Sequence, residues 1–301
     1  IKIPFFLFGK IVPIANIDNL WNSVGLIANT SFIVNLLLAQ ICLFTQAIWF
    51  NYLFHKADYN ENNTMIPALY FSLATSLIPQ FNQFSIYLLI GFILLAVFHT
   101  LLTITTKDSA KVDSFNLGVL GSILVIINAH FLFFLPFLFL MLYAVKPFRV
   151  NEYIMLLFGM LFPFYFALSI SYLFDCDINV QQFIVTSIKT FRFERNIFNF
   201  IVFVLTAIYM IMSFVSLRGI MYSTGFKRRK NVNMLIFFFI GTTITIVSSS
   251  NLDETTLSFL FIPVSIFLAL FMLRLRNKKW TEIFNAIFVL VTFITNLVRV
   301  F

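Results

Sequence analysis

The sequence predicts an all-α fold, a polytopic transmembrane helical bundle of about 9–11 spans. Three observations lead there. The 301 residues are 60% apolar and only 11% charged, with a mean hydropathy of +0.96, whereas soluble domains carry about a quarter charged residues. Apolar runs near the length of a bilayer crossing, about 20 residues, recur along the whole chain. The basic residues fall in short loops between those runs, on alternate sides. Forty-three phenylalanines exceed what a globule of this size can hide, so much of the surface faces lipid. A soluble enzyme, a disordered chain and a nucleic-acid-binding domain are thereby excluded, the net charge of +8 notwithstanding.

Taken in order, the candidate spans are Val24–Phe54, Met65–Gln80, Phe84–Thr105, Tyr153–Phe174, Ile197–Leu217, Val232–Ser249, Leu257–Leu273 and Ile283–Val298. The first is overlong and begins as a re-entrant or surface segment. Met65–Gln80 is short and is bracketed by Pro67 and Pro79. The run Ile1–Ile14 reads as the remnant of one further span, without the features of a cleavable signal peptide. Ser114–Val145 is too long for one ordinary crossing, because its 32 residues would make a helix of about 48 Å. Two short crossings, Phe115–Ile127 and Leu132–Val145, place Asn128 and His130 in a turn; one long kinked helix is the alternative.

Loop charge favours the pair. The most basic loop, Arg218 to Lys230 with Lys227-Arg228-Arg229-Lys230, is assigned to the cytoplasm. Arg274, Arg276, Lys278 and Lys279 then fall on the same side, and the loop around Asp253-Glu254 falls outside without a basic residue. Only if Ser114–Val145 crosses twice do Lys56, Lys107 and Lys111 also land inside. Of the 20 basic residues, Lys189, Arg192, Arg195 and Arg299 are then outside, and Lys2 and Lys10 stay unassigned. No internal repeat and no low-complexity linker divides the chain, so residues 1–301 read as one membrane domain.

Ionisable groups at membrane depth usually mark function in such proteins, because burying them is costly. No Asp or Glu lies mid-span here, which argues against a proton or cation pump. The first span carries Asn29, Asn35, Gln40 and Gln46; at 100° per residue Asn29 and Gln40 share one face, and Asn35 and Gln46 a neighbouring one. These amides read as helix–helix contacts, with a polar groove for a ligand headgroup as the alternative. His99 and His130 have no second ligand at metal spacing, Cys42 and Cys176 do not form a close pair, and no phosphate-binding or hydrolytic motif is present. No metal and no cofactor is therefore expected. His130 is expected to bond a backbone carbonyl of its turn.

The loop Asp175–Arg195 is the richest in chemistry. From Ile178 to Arg195 it has an apolar stripe of Ile178, Phe183, Ile184, Ile188 and Phe191, the pattern of an amphipathic helix in the interface. It reads as an anchor of the fold on the outer face. Alternatively Lys189, Arg192 and Arg195 hold a lipid phosphate or headgroup there, with Asp175 and Asp177 as acid, base or metal-binding groups.

The order of several segments carries a resemblance. After the amide-rich first span come Ile78-Pro79-Gln80-Phe81, Thr106-Lys107-Asp108 and Asp113-Ser114-Phe115-Asn116-Leu117-Gly118. Lys146-Pro147-Phe148-Arg149-Val150-Asn151-Glu152 then leads into Gly159-Met160-Leu161-Phe162-Pro163-Phe164-Tyr165. Over Ala28–Phe174 the chain resembles an uncharacterised family of multi-pass inner-membrane proteins of Bacteroidota, some members of which are mislabelled beta-carotene monooxygenase. The resemblance implies the cytoplasmic membrane of a Gram-negative cell and carries no catalytic residues. An iron oxygenase needs several clustered histidines, and this chain has 3, scattered.

The leading expectation is a subunit or scaffold of a cell-envelope assembly or secretion complex, without catalysis of its own. Its partners would be membrane lipids and proteins of the membrane or periplasm, not nucleic acid. The alternatives are an enzyme of polyprenyl-linked glycans, drawing on Asp18, Asp175 or Asp177, and a flippase for lipid-linked substrates.

Overall fold

In hydrocarbon a chain must satisfy its own backbone, which helices do segment by segment. The computed structural model describes residues 32–59, 64–76, 81, 84–173, 226–248 and 258–274, with positions 282, 283, 286, 289 and 290 near the end of the chain. Helix α1 is Phe32–Lys56, α2 Ile66–Ser76, α3 Ile86–Thr106, α4 Lys111–Ile127, α5 Leu135–Val145, α6 Val150–Leu173, α7 Phe226–Val247 and α8 Phe261–Arg274. Short 3₁₀ stretches, Ala129–Phe134 and Ser258–Leu260, lead into α5 and α8. Among the described residues there is no strand, so the architecture is an all-α bundle. Four segments, Ile33–Lys56, Ile86–Thr106, Val150–Ile170 and Arg228–Val247, are long and apolar enough to cross a membrane. Ile66–Ser76, Ala129–Val145 and Ser258–Leu273 are shorter apolar helices. The expected span Ile197–Leu217 and the segment 175–195 lie outside the described residues.

The chain doubles back at Asn128. Its side-chain Oδ1 accepts the His130 N–H at 3.0 Å and so caps the 3₁₀ turn. A Cβ on Gly121 of α4 would come within 2.5 Å of Leu138 Cδ1 on α5. At the other end of the pair, Lys146 Nζ lies 2.9 Å from the Asp108 carbonyl. A single continuous helix would hold those two residues more than about 50 Å apart, so the long kinked helix is ruled out. His130 differs from expectation: the turn is closed by the Asn128 amide, and imidazole Nδ1 has no hydrogen-bond partner among the described residues.

A second difference concerns α7. The expected loop Arg218 to Lys230 ends early, because the helix already includes Phe226–Lys230. The reason lies in α1, whose last carbonyls need partners. Asp58 closes that helix in the left-handed region, φ 62°, a conformation Asp tolerates better than most residues. Arg228 Nε then donates to the Asp58 carbonyl at 2.6 Å and Asn231 Nδ2 to the Ala57 carbonyl at 2.8 Å. Tyr59 returns a bond, its hydroxyl donating to the Asn231 carbonyl at 3.0 Å.

The core is aromatic. Phe98 of α3 meets Phe238 of α7 edge-on at 5.9 Å, Phe238 meets Phe134 at 5.7 Å, and Phe134 meets Phe131 at 6.0 Å. Phe131 continues to Phe259 at 4.6 Å. Such tilted ring pairs add about 0.5–1.5 kcal/mol each beyond the area they bury, and this series ties α3, α7 and both 3₁₀ stretches together. On α6 the side facing away from α4 is exposed and mostly apolar or aromatic, with Ile154, Phe158, Leu161 and Tyr165 among its residues. That is the surface a helix presents to acyl chains.

Among the described glycines, those between α4 and α6 mark the closest approach. A Cβ on Gly159 would lie 2.1 Å from the Phe115 carbonyl oxygen, and one on Gly118 would lie 2.3 Å from that of Leu156. Ser122 Oγ donates across the same seam to the Met160 carbonyl at 2.6 Å. Small residues at this spacing let backbones touch where lipid supplies no hydrophobic drive. Gly159→Ala must push the two helices apart and should lower stability by about 1–3 kcal/mol, read as a depressed unfolding temperature in detergent. Gly91→Ala should be milder, since its new Cβ would meet only the end of the Gln46 side chain, at 3.1 Å.

Candidate functional site

The hairpins bring the described charges to one end of the bundle. Lys56 ends α1, Lys107 and Lys146 are the C-caps of α3 and α5, Arg149 precedes α6, and Arg228 to Lys230 lie in the first turns of α7. The opposite end, from Asn35 and Ser85 to Asn128 and Ser258, carries no Lys, Arg, Asp or Glu among the described residues.

Two helix reversals at the charged end use one device. Lys107 follows α3 and bonds Asp113 in the first turn of α4, at 2.7 and 2.9 Å. Lys146 follows α5 and bonds Glu152 in the first turn of α6, at 3.0 Å. In each case a cation sits at a helix C-terminus and an anion at the next N-terminus, as the helix dipoles favour. The environments differ. The Lys107 side chain is half-exposed, whereas Lys146 and Glu152 are 9% and 3% exposed.

The buried pair also locks the two loops together. Glu152 Oε1 accepts the Ala110 N–H at 3.1 Å, Lys146 Nζ donates to the Asp108 carbonyl, and Arg149 Nη1 donates to that same carbonyl at 2.5 Å. Beside this network lies a cleft of about 240 Å³, lined by Ser109, Lys111, Arg149, Val150, Asn151 and Glu152. A neighbouring pair, Lys56 Nζ and His99 Nε2, sits 2.9 Å apart, with Trp49 edge-on to the imidazole. Burial pushes the Tyr59 phenol above its ordinary range, so it stays a neutral donor.

The amides of the first span occupy different settings. Asn35 is buried and its Oδ1 accepts the Phe84 N–H at 2.5 Å, just before α3. Gln46, also buried, donates from Nε2 to the Leu88 carbonyl at 2.7 Å. Gln40 is half-buried and makes no side-chain hydrogen bond to described residues. Asn29 lies outside the described residues, as do Asp175, Asp177, Lys189, Arg192 and Arg195. Cys42 is a free, half-buried thiol. No group of three metal-ligating side chains occurs among the described residues.

Sequence reasoning placed Glu152 at a span end but missed its burial. The repeated spacing, an acid six residues after the lysine that ends the preceding span, signals the ion pair but is the same for the half-exposed pair and the buried one.

The match to known proteins comes from a family model, described as a family of unknown function, that covers residues 19–301. The chain belongs to this family, DUF6427. The match runs through the second half of the chain as well as the Ala28–Phe174 region that carried the resemblance. No curated protein and no solved structure matches the chain.

For this DUF6427 chain, Glu152→Gln should cost about 3–5 kcal/mol, because it strands a buried ammonium. Lys107→Ala, at the half-exposed counterpart, should cost less than about 1 kcal/mol. Unfolding of the two purified variants in one detergent compares them directly.

Proposed function

We propose that this membrane protein is a non-catalytic subunit or scaffold of a cell-envelope assembly or secretion complex, seated in the inner membrane with its charged end in the cytoplasm. The observation behind this reading is that the polar side chains that reach from one described segment to another are spent on holding the chain to itself. Gln46, Asn35, Ser122 and Asn231 each hold another segment, and the space beside Gln46 is only about 10 Å³. A carrier needs a continuous polar cavity, and a polymerising enzyme needs uncommitted acids at substrate depth. Gathering basic residues at one end supports the orientation, since cytoplasmic loops are enriched in Lys and Arg.

Mild-detergent extraction of the tagged protein at native expression should bring down envelope proteins in stoichiometric amounts, identified by mass spectrometry. Recovery as a lone monomer carrying lipid-linked sugar would overturn the subunit reading in favour of glycan chemistry. For orientation, Ser109→Cys, exposed in the loop between α3 and α4, is placed in a background with Cys42 and Cys176 replaced by Ser. It should react with a membrane-impermeant maleimide only after the cells are opened. Labelling of intact cells would reverse the assignment.

A further inference from the structure

The cleft at the charged end joins three things: cations without a committed anion, helix N-termini, and an apolar rim. Of the cations near it, Lys107 is taken by Asp113 and Lys146 by Glu152. Lys111 has no ion-pair partner among the described residues and lines the cleft. Arg149 lines it too and spends only Nη1, on the Asp108 carbonyl, so most of its planar fork is uncommitted. Glu152 reaches the same cleft, but its charge is offset by Lys146 and its Oε1 accepts the Ala110 N–H.

The first turns of α4 and α6 both open here. The N–H groups of Lys111, Val150 and Asn151 have no intrahelical acceptor and carry the positive end of the helix dipoles. Val150, 56% exposed, lines the cleft, and next in sequence to its two cations stand the exposed apolar residues Val112, 71%, and Phe148, 61%. Val150 is also the first residue of a segment long and apolar enough to cross the membrane, which sets the cleft at headgroup depth.

We propose that Lys111 and Arg149 form a phosphate site for an anionic amphiphile, with the phosphate in the cleft and its chains against Val112, Phe148 and Val150. The cation set alone would equally take free phosphate. The apolar rim is what selects the lipid. The site uses none of the residues of the 175–195 cluster and does not depend on the subunit reading.

The test uses the full chain in phosphatidylcholine nanodiscs containing a minor fraction of phosphatidylglycerol, with retained lipid counted by native mass spectrometry. Phosphatidylglycerol should be retained in preference. Lys111→Gln and Arg149→Gln should each reduce that preference about fivefold, the worth of one basic contact at a membrane surface, and the double variant should abolish it. Lys230→Gln, with the same charge change at the same end, should leave it intact. An unchanged elution volume shows that each variant is folded; the Lys111 side chain makes no hydrogen bond or ion pair among the described residues. Retention that survives in the double variant, or falls equally in Lys230→Gln, overturns the site. Inorganic phosphate titrated into delipidated protein separates the sources. Lys111-dependent phosphate binding without selective phosphatidylglycerol retention would overturn the lipid assignment in favour of a soluble anion.

Discussion

The Glu152 carboxylate is where three helix ends are tied. It bonds the ammonium that ends α5, the backbone N–H that begins α4, and it belongs to the first turn of α6. A buried ion pair is not in itself a large stabiliser, because desolvation offsets much of its attraction. Its effect here is to fix geometry: with Lys146 and Arg149 both on the Asp108 carbonyl, the α3–α4 loop cannot move independently of the α5–α6 loop. The register of α4 against α6 follows, and with it the point where Gly118 and Gly159 let the backbones meet.

Away from that end, the same constraint appears without charge. Hydrocarbon provides no water, so each polar group must be answered within the chain. Threonine and serine hydroxyls mostly answer themselves by bonding the carbonyl three or four residues back, as Thr75, Thr100 and Thr242 do. Amides have too many donors and acceptors for that, and so Asn35 and Gln46 reach across to the backbone of another segment near the start of α3. The amide-rich character of the first span is thus explained at those two positions by what they hold in place.

Much of the fold was legible because it follows from chain length and charge alone. The doubling back at Asn128 was readable from a run too long for one crossing, polar residues at its middle, and the parity that Lys107 and Lys111 demanded. The start of α7 was not, because its basic first turns look like loop until the carbonyls of Ala57 and Asp58 are seen to need them. The α4–α6 contact escaped for another reason. Ser114, Gly118 and Ser122 recur at four-residue spacing, but small residues carry no hydropathy signal, and their partner Gly159 is distant in sequence. The charged end was misjudged in depth and not in position: span ends attract lysines and acids, and only the packing of two loops distinguishes a solvated pair from a buried one. The cluster read from 175–195 lies in a part of the chain the structure does not describe.

The tightest seam also has a bearing on how the protein is made. Helices α4, α5 and α6 are consecutive, and the contacts that define them, from Gly121 with Leu138 to Gly118 with Gly159, close loops of only a few dozen residues. A ribosome therefore delivers the whole three-helix unit before any residue of α7 is needed, and its pairing is local enough to form early. The ring series through Phe98, Phe134 and Phe238 can be completed only afterwards, when α7 arrives. Assembly then has an order written into the chain: a hairpin and its neighbour set first as a template, and the later helix docks onto a surface already in place.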